Sequence, residues 1–413
     1  VLQSCLALPV FAENEARNPN LILNIDGVAS RVVDFADNYG AGLTAAEVET
    51  KAEKYVSEYL LFNNSIGRVM YMSNWRLSCV DSDVFDSYYY TIDRNADGSI
   101  VKDENGNVQK KVSEYYTDHS DHNSEHMYAA TFIKNDIDLY RYVIDATKKA
   151  GAEAWLSVRM NDHHQNHCTW YNNYVGNQAQ YCIDMAGGNY NLDFTEKAVQ
   201  DYYKDYIVEL CTNYDIDGIE LDWLRSPGVL PEVNETNIQI INDYMAEIRA
   251  AVNEVNEAQN KSIEISARTY ADEEESLKVG FDAAQWIADG SIDLLTVMNW
   301  YTPTNFDIPV EEWRASIDKK NVNKNEYALV AGSDLSLSNG IGGGYRLTPE
   351  HLKGFASMAY GRGSDGVYLF NYSYRHDGVV VDVAEDGTAT STNKMTEKFR
   401  AITSKEIAET GLR

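Results

Sequence analysis

The regular alternation of short apolar runs with longer helical patterns most restricts how this 413-residue chain can fold. Eight runs rich in β-branched and apolar residues are separated by stretches with apolar residues at helical spacing. Strands that alternate with helices form parallel sheets, and eight such units suit a closed α/β barrel, the (β/α)₈ or TIM barrel. The predicted strands are 21–26, 67–73, 154–160, 218–223, 263–267, 292–299, 327–332 and 366–371.

The predicted helices include 132–149, 195–213, 235–257, 349–360 and 393–409. An open, doubly wound sheet is the alternative fold, and it normally carries a glycine-rich phosphate-binding turn after its first strand. The first strand here ends in Asn24-Ile25-Asp26-Gly27, which offers no such turn. The sequence therefore favours the barrel.

Two long segments depart from a minimal barrel, residues 76–130 after the second strand and residues 161–193 after the third. Both follow the carboxyl ends of strands, the face on which barrels carry their active sites. They are rich in Tyr, Asn and His, a composition typical of surfaces that contact sugars, although purely decorative loops are the alternative. We expect one catalytic domain, residues 13–413, with loop insertions 76–130 and 161–193.

The composition limits the partners of the chain. Asp and Glu number 64 against 35 Lys and Arg, a formal charge of −29, so most of the surface repels phosphate backbones and anionic lipid. We therefore expect no nucleic-acid partner. No stretch after residue 12 approaches the ~20 apolar residues of a spanning helix, so we expect no membrane insertion.

The first twelve residues, VLQSCLALPVFA, indicate an export signal truncated before its apolar part. A lipid-attachment site at Cys5 is the weaker alternative, because the apolar run continues beyond it. We predict a secreted protein. Four cysteines remain after residue 12, too few for a disulfide scaffold, although Cys168 and Cys182 could close one loop.

Charged, amide and aromatic side chains follow nearly every predicted strand, and a closed barrel would bring them to one mouth. Arginine and tryptophan in such a mouth favour a planar ligand that carries hydroxyl or carboxylate groups. The strand-end residues are Asp26, Asn74, Trp75, Arg76, Arg159, Asn161, Asp162, His163, His164, Glu220, Asp222, Trp223, Arg225, Arg268, Tyr270, Asn299, Trp300, Tyr301, Asp334, Asn371 and Tyr372.

The segment DGIELDWLR, residues 217–225, places two carboxylic acids on one face of the fourth strand, because side chains alternate along a strand. Glycoside hydrolysis uses two carboxyl groups, one protonated and one ionised. We favour a site role for Asp222 and, for Glu220, a deeper structural position. The segment resembles the fourth-strand motif of several TIM-barrel glycoside hydrolases. Leu224 stands where the chitinase-type pattern has its catalytic Glu, which counts against chitinase chemistry.

The segment SVRMNDHH, residues 157–164, resembles the third-strand region of the inverting exo-sialidases of glycoside hydrolase family 156. The resemblance implies that His164 and Asp26 form the catalytic pair, and that Arg159 and Arg225 bind the carboxylate of sialic acid. Asp222 would orient this pair or the substrate. The further residues that we expect to contact substrate are Asn74, Trp75, Asp162, Glu220, Arg268, Asn299, Trp300 and Tyr301.

Histidine spacing offers a metal as a rival interpretation. The pairs His122/His126 and His163/His167 have the i,i+4 spacing that can bind one metal on a helix. No HExxH signature accompanies them, and their Asn-rich surroundings argue against a helix. We favour solvated loop histidines.

Residues 93–104 match the EF-hand calcium-loop pattern position for position. Their flanks, however, are typical of strands, and Asp97-Gly98 and Asn105-Gly106 are hairpin-turn dipeptides, so a small β-meander explains the same residues. We predict no metal and no cofactor.

Together these features predict a secreted glycoside hydrolase that releases a terminal sugar from a glycan or glycoconjugate. An anionic sugar such as sialic acid is the leading candidate, cleaved with inversion by Asp26 and His164. A two-carboxylate glycosidase for neutral sugars, with Asp222 paired to Asp334 or Asp162, is one alternative. A non-catalytic carbohydrate-binding barrel is another. The sequence does not predict an oligomeric state.

Overall fold

A computed structural model describes residues 18–33, 40–61, 66–113, 125–162, 173–184, 190–299, 305–334, 336–338, 344–346, 349–371, 379–383 and 389–393. Eight parallel strands form a closed barrel in which each strand pairs with its neighbours in sequence and the first also pairs with the last. The (β/α)₈ prediction is confirmed, and the open-sheet alternative is wrong. The strands are β1 (Asn18–Ile25), β2 (Ile66–Asn74), β3 (Glu153–Arg159), β4 (Gly218–Asp222), β5 (Glu264–Tyr270), β6 (Leu294–Met298), β7 (Ala328–Asp334) and β8 (Gly366–Phe370).

Helices connect the strands around the outside of the barrel. They are α1 (Val28–Val32), α2 (Ala45–Tyr55), α3 (Glu125–Lys134), α4 (Leu139–Lys149), α5 (Lys197–Asn213), α6 (Glu235–Gln259), α7 (Glu273–Lys278), α8 (Ala283–Ala288), α9 (Val310–Lys320) and α10 (Pro349–Gly361). None of the helices in the described ranges is long and apolar enough to cross a membrane.

The helix predicted over 132–149 is two helices, α3 and α4. Asp136 between them has a left-handed backbone with φ of 55°, which no α-helix accommodates. Asp138 then caps α4, its side chain accepting a hydrogen bond from the backbone N–H of Arg141 at 3.1 Å. Beyond residue 393, the helix predicted over 393–409 lies outside the described residues.

The alternation of side chains along the strands produces two separate cores. Outward-facing residues such as Ile219 and Leu221 pack under the helices, in the larger core. Inward-facing residues fill the barrel itself with a smaller apolar cluster. At the amino ends of the strands the Arg68 guanidinium lies 4.0 Å from the Trp155 ring and makes an ion pair with Glu153 at 2.7 Å. This end of the barrel is therefore packed shut, and the opposite end is the one available for a site.

Antiparallel hairpins decorate the barrel. Within 76–130, strand Tyr90–Ile92 pairs with Lys110–Val112, and within 161–193, strand Cys182–Asp184 pairs with Tyr190–Leu192. Two further hairpins pair Ser336–Ser338 with Gly344–Arg346 and Val379–Val383 with Ala389–Asn393.

One buried carboxylate joins the two insertions to each other and to the barrel wall. Asp86 accepts hydrogen bonds from the backbone N–H of Ile92 at 2.8 Å, in the first insertion, and of Tyr174 at 2.6 Å, in the second. The hydroxyl of Tyr202 on α5 donates to the same carboxylate at 3.2 Å. Burial raises the pKa of Asp86, and these hydrogen bonds and the charge of Arg94 oppose the increase.

Candidate active site

The carboxyl ends of β1 and β3 meet in an ionic network. Arg159 donates to Asp26 at 2.7 Å and to Asp162 at 2.6 Å, and its guanidinium is almost wholly buried. The Trp75 indole N–H donates to the other oxygen of Asp26 at 2.9 Å. Burial lowers the pKa of Arg159, but the surrounding carboxylates more than offset this and raise it. Asp26 is thus held in one orientation at the barrel mouth, with 16% of its side chain exposed.

A second ion pair links β4 and β5. Arg268 donates to one oxygen of Asp222 at 2.5 Å, and both residues are buried. The other oxygen accepts from the backbone N–H groups of Leu224 and Arg225 at 3.1 and 3.2 Å, so Asp222 also fixes the turn after β4. The Arg268 guanidinium lies 3.9 Å from the ring of Phe370 on β8. Arginine and carboxylate side chains from neighbouring strands therefore neutralise one another at this level of the barrel.

Glu220 lies one layer deeper than Asp222 and is fully buried. One of its oxygens accepts hydrogen bonds from Asn24 at 3.0 Å, Ser157 at 2.7 Å and Tyr368 at 3.1 Å. The other oxygen has no hydrogen-bond partner among the described residues. Burial raises the pKa of Glu220 to about 7, with Arg268 opposing the increase and Asp222 adding to it. Glu220 therefore occupies the deeper structural position that we favoured for it, and its contact with substrate stays a prediction.

A small pocket opens between the carboxyl ends of β4, β5, β6, β7 and β8. It brings together three predicted site residues, Arg225, Arg268 and Asn299. The residues that line it are Leu224, Arg225, Arg268, Met298, Asn299, Asp334 and Phe370. Two guanidinium groups and one carboxylate thus border this part of the mouth.

Two other predicted residues serve the framework. The Asn74 side chain accepts from the backbone N–H of Arg159 at 3.0 Å and donates to its carbonyl at 3.1 Å, which joins β2 to β3. Asn74 is completely buried, and its expected binding of sugar hydroxyls stays a prediction. Trp75 is half-buried, and its indole N–H is occupied by Asp26.

Several predicted residues fall outside the described part of the chain, namely His164, Trp300 and Tyr301, together with His163, His167, Cys168 and Tyr372. Their predicted roles remain predictions. Cys182 has no disulfide partner among the described residues, and because Cys168 lies outside them, the possible bridge between the two stays a prediction.

His126 is not a solvated loop histidine. It lies in the first turn of α3, buried between two rings, with centroid distances of 4.2 Å to Trp75 and 4.5 Å to Tyr88. The i,i+4 spacing of His122 and His126 does not predict this packing. Within the described ranges, no cluster of three His, Cys, Asp or Glu side chains is placed to hold a metal ion.

The calcium-like segment forms a hairpin ladder with bridges Arg94–Ile100 and Lys102–Val108. Asp97 accepts hydrogen bonds from the backbone and hydroxyl of Ser99. These contacts are those of a β-meander.

Arg76 is a residue whose importance the sequence understated. It follows β2 directly, is fully buried, and donates from Nη1 to the carbonyl of Asp162 at 2.7 Å. Its position at a strand end, like those of Arg159, Arg225 and Arg268, is the sequence feature that could have identified it.

No protein-family model matches the chain, and no curated protein matches it. Solved structures are similar in fold. Alpha-L-fucosidase isoenzyme 2 from Paenibacillus thiaminolyticus aligns with 95% of this chain at 11% identity and a TM-score of 0.50. The alignment covers 49% of the fucosidase, so this chain spans about half of it. The PgaB (BpsB) glycoside hydrolase domain from Bordetella bronchiseptica aligns over 86% of this chain and 94% of the domain, at 9% identity and a TM-score of 0.48. At such identities the likeness concerns the barrel fold, which places the chain in the class of (β/α)₈-barrel proteins.

Proposed function

We propose that the chain is a glycoside hydrolase that acts at the carboxyl-end mouth of its barrel on the terminal sugar of a glycan. The observation that carries the proposal is the ionic network of Asp26, Arg159 and Asp162, adjoined by the pair of Asp222 and Arg268. A network of this kind holds carboxylates in fixed orientations where barrel enzymes carry their chemistry. The fucosidase and the glycoside hydrolase domain that share the fold support the same class of reaction.

Asp26 is the carboxylate best placed to act on a substrate. Both of its oxygens accept hydrogen bonds, from Trp75 and Arg159, and its side chain remains partly exposed. An oriented carboxylate of this kind suits a general base that activates water. His164, five residues beyond Arg159 in sequence, would be its partner in an inverting reaction. Asp222 would act indirectly, by holding Arg268 and the turn that carries Arg225.

An anionic sugar, with sialic acid as the leading candidate, is the proposed substrate. Arg225 and Arg268 line the pocket together with Asp334, and because Arg268 is already paired with Asp222, Arg225 is the guanidinium that would bind the sugar carboxylate. Guanidinium groups bind carboxylates in a bidentate manner, which would supply both affinity and orientation. We also propose that the protein works outside the cytoplasm, as its N-terminal apolar segment suggests.

The test compares release of fluorophore from an aryl sialoside and from neutral aryl glycosides. The variants are Asp26→Asn, His164→Ala and Arg225→Gln, with Asp243→Asn on the exposed face of α6 as the matched control. We expect sialoside turnover to fall by about 10²-fold or more in the first two variants, the contribution of a general acid or base. Arg225→Gln should raise KM for the sialoside, and the control should behave like the wild type.

Two results would contradict the proposal in different ways. Turnover of a neutral glycoside that survives loss of Asp26 and His164 but not Asp222→Asn would favour a two-carboxylate glycosidase. Retention of sugar binding without turnover of any substrate would favour a carbohydrate-binding barrel. The configuration of the released sugar, followed by proton NMR in the first minutes, distinguishes inversion from retention.

A further inference from the structure

The guanidinium of Arg76 is buried without a counter-ion. It is fully inaccessible to solvent, and it makes no ion pair within the part of the chain that the structure describes. Only Nη1 is used, in the hydrogen bond to the carbonyl oxygen of Asp162. Among the residues that the structure describes, Nε and Nη2 have no hydrogen-bond partner. The carboxylate of Asp162 accepts from Arg159, so it does not supply the missing contacts.

A buried charge with unused donors is costly. Transfer of an isolated charge into a protein interior carries a large free-energy penalty that only a partner charge or a full set of hydrogen bonds offsets. Native proteins therefore rarely leave a guanidinium in this state, and each such group calls for an explanation.

The groups around Arg76 include an aromatic face, a phenol and the side-chain oxygen of Asn173, which already accepts from the backbone N–H of Gly176. The guanidinium lies 4.8 Å from the ring of Tyr190. Tyr203 is fully buried nearby, and its hydroxyl has no hydrogen-bond partner among the described residues. Burial raises the pKa of Tyr203, against the opposing charge of Arg76, so the hydroxyl keeps its proton and remains a donor. Buried hydrogen-bond donors without partners require an acceptor. An acceptor with a negative charge would also balance the positive charge of the arginine.

Gly176 packs closely against the unused nitrogen. A Cβ built on Gly176 would lie 2.7 Å from Nη2 of Arg76 and 3.1 Å from Oδ1 of Asn173. Any side chain at this position would collide with the guanidinium or displace it. The backbone N–H of Gly176 donates to that same Asn173 oxygen at 3.0 Å, which holds the glycine in place.

We propose that Arg76, Gly176 and Tyr203 form a buried site for a small monovalent anion of halide size. The anion accepts hydrogen bonds from Nε and Nη2 of Arg76 and from the hydroxyl of Tyr203. Cys182 is the residue nearby that could itself be the anion, as a thiolate. Burial raises its pKa, against the charge of Arg76, so at neutral pH it is a neutral thiol and leaves the guanidinium unbalanced. The site does not depend on the proposed glycosidase activity.

The test measures the melting temperature of the full chain, without substrate, as sodium bromide replaces sodium gluconate at constant ionic strength. A ligand that binds the folded state alone stabilises it in proportion to the logarithm of its concentration. We expect Tm to rise by about 3 °C over the bromide or chloride titration, linearly with the logarithm of halide concentration once this exceeds Kd. Arg76→Gln and Gly176→Ala should both abolish the dependence.

The matched controls are Arg141→Gln, which removes an exposed arginine, and Gly354→Ala, where an added Cβ meets no atom within 4 Å. Both should keep the wild-type response to halide. Crystals grown in bromide should show an anomalous peak beside Nε and Nη2 of Arg76. The absence of both the peak and the Tm response in wild type would overturn the proposal in favour of buried water. A response to a sugar carboxylate but not to halide would also overturn it, and would make Arg76 a substrate contact.

Discussion

Replacing Glu220 by Gln should stabilise the protein at alkaline pH while leaving its stability in acid almost unchanged. The substitution keeps the oxygen that accepts from Asn24, Ser157 and Tyr368. It replaces the oxygen that has no partner with an uncharged amide. The side chain keeps its shape, and what changes is its ability to ionise in the barrel interior.

The magnitude follows from the pKa. In the folded protein burial raises the pKa of Glu220 from the ordinary 4.5 to about 7. The folded state therefore binds this proton more tightly than the unfolded state does. The resulting stability is fully present below pH 4.5 and is lost as the pH rises through 7. At 1.36 kcal/mol for each pH unit, the loss approaches about 3 kcal/mol. The Gln variant never ionises, so it escapes the loss.

The assay is urea denaturation of both proteins from pH 5 to pH 9. The difference in their free energies of unfolding isolates Glu220, because all other titrating groups are shared. It should grow with pH in favour of Gln and level off above pH 8. Glu58→Gln on the exposed surface controls for the substitution itself. A difference that stays constant across the range would refute the conclusion that Glu220 is buried as a neutral acid.

Four further substitutions test the framework. Asp222→Asn leaves a buried arginine without its counter-ion and should lower the free energy of unfolding by about 3–5 kcal/mol, measured by urea denaturation. An unchanged denaturation midpoint would mean that the ion pair is solvated. Asp86→Ala leaves two buried backbone N–H groups without their acceptor, so limited proteolysis should cut both insertions faster than in wild type. Equal cleavage rates would contradict the conclusion that Asp86 holds the two insertions together. Gly354→Ala in α10 should stabilise by about 0.5–1 kcal/mol, while Gly366→Ala, whose Cβ would lie 1.9 Å from the backbone oxygen of Asn20, should prevent normal folding as judged by circular dichroism. Equal effects of the two alanines would be inconsistent with the barrel packing described here.

The barrel could be predicted because each strand can be recognised from its own short stretch of sequence. A run of apolar and β-branched residues buried on both faces is visible in any short window, as in β2, whose nine residues are all buried. The break between α3 and α4 was missed because apolar spacing continues across it. It depends on a left-handed residue, Asp136, and an N-cap, Asp138, both of which occur in many other contexts.

The strand-end residues could also be listed from the sequence, but their pairing could not. Arg159 and Asp26 are 133 positions apart, and their ion pair exists only because β1, β2 and β3 lie side by side. The depth of each carboxylic acid within the barrel is equally hard to predict from the sequence. Alternation places Glu220 and Asp222 on one face, but the register that aligns Glu220 with Ser157 and Ser266 determines which acid reaches the mouth.

The hydrogen bonds of the Asp86 carboxylate restrict how the sequences of the two insertions can change. Because the carboxylate binds the backbone of both insertions and the Tyr202 hydroxyl at once, the two insertions share one anchor. A graft that exchanged one insertion for a foreign sequence would remove an anchor from the other. Lineages that diversify this scaffold should therefore inherit the two insertions as a matched pair, and directed evolution libraries should shuffle them together.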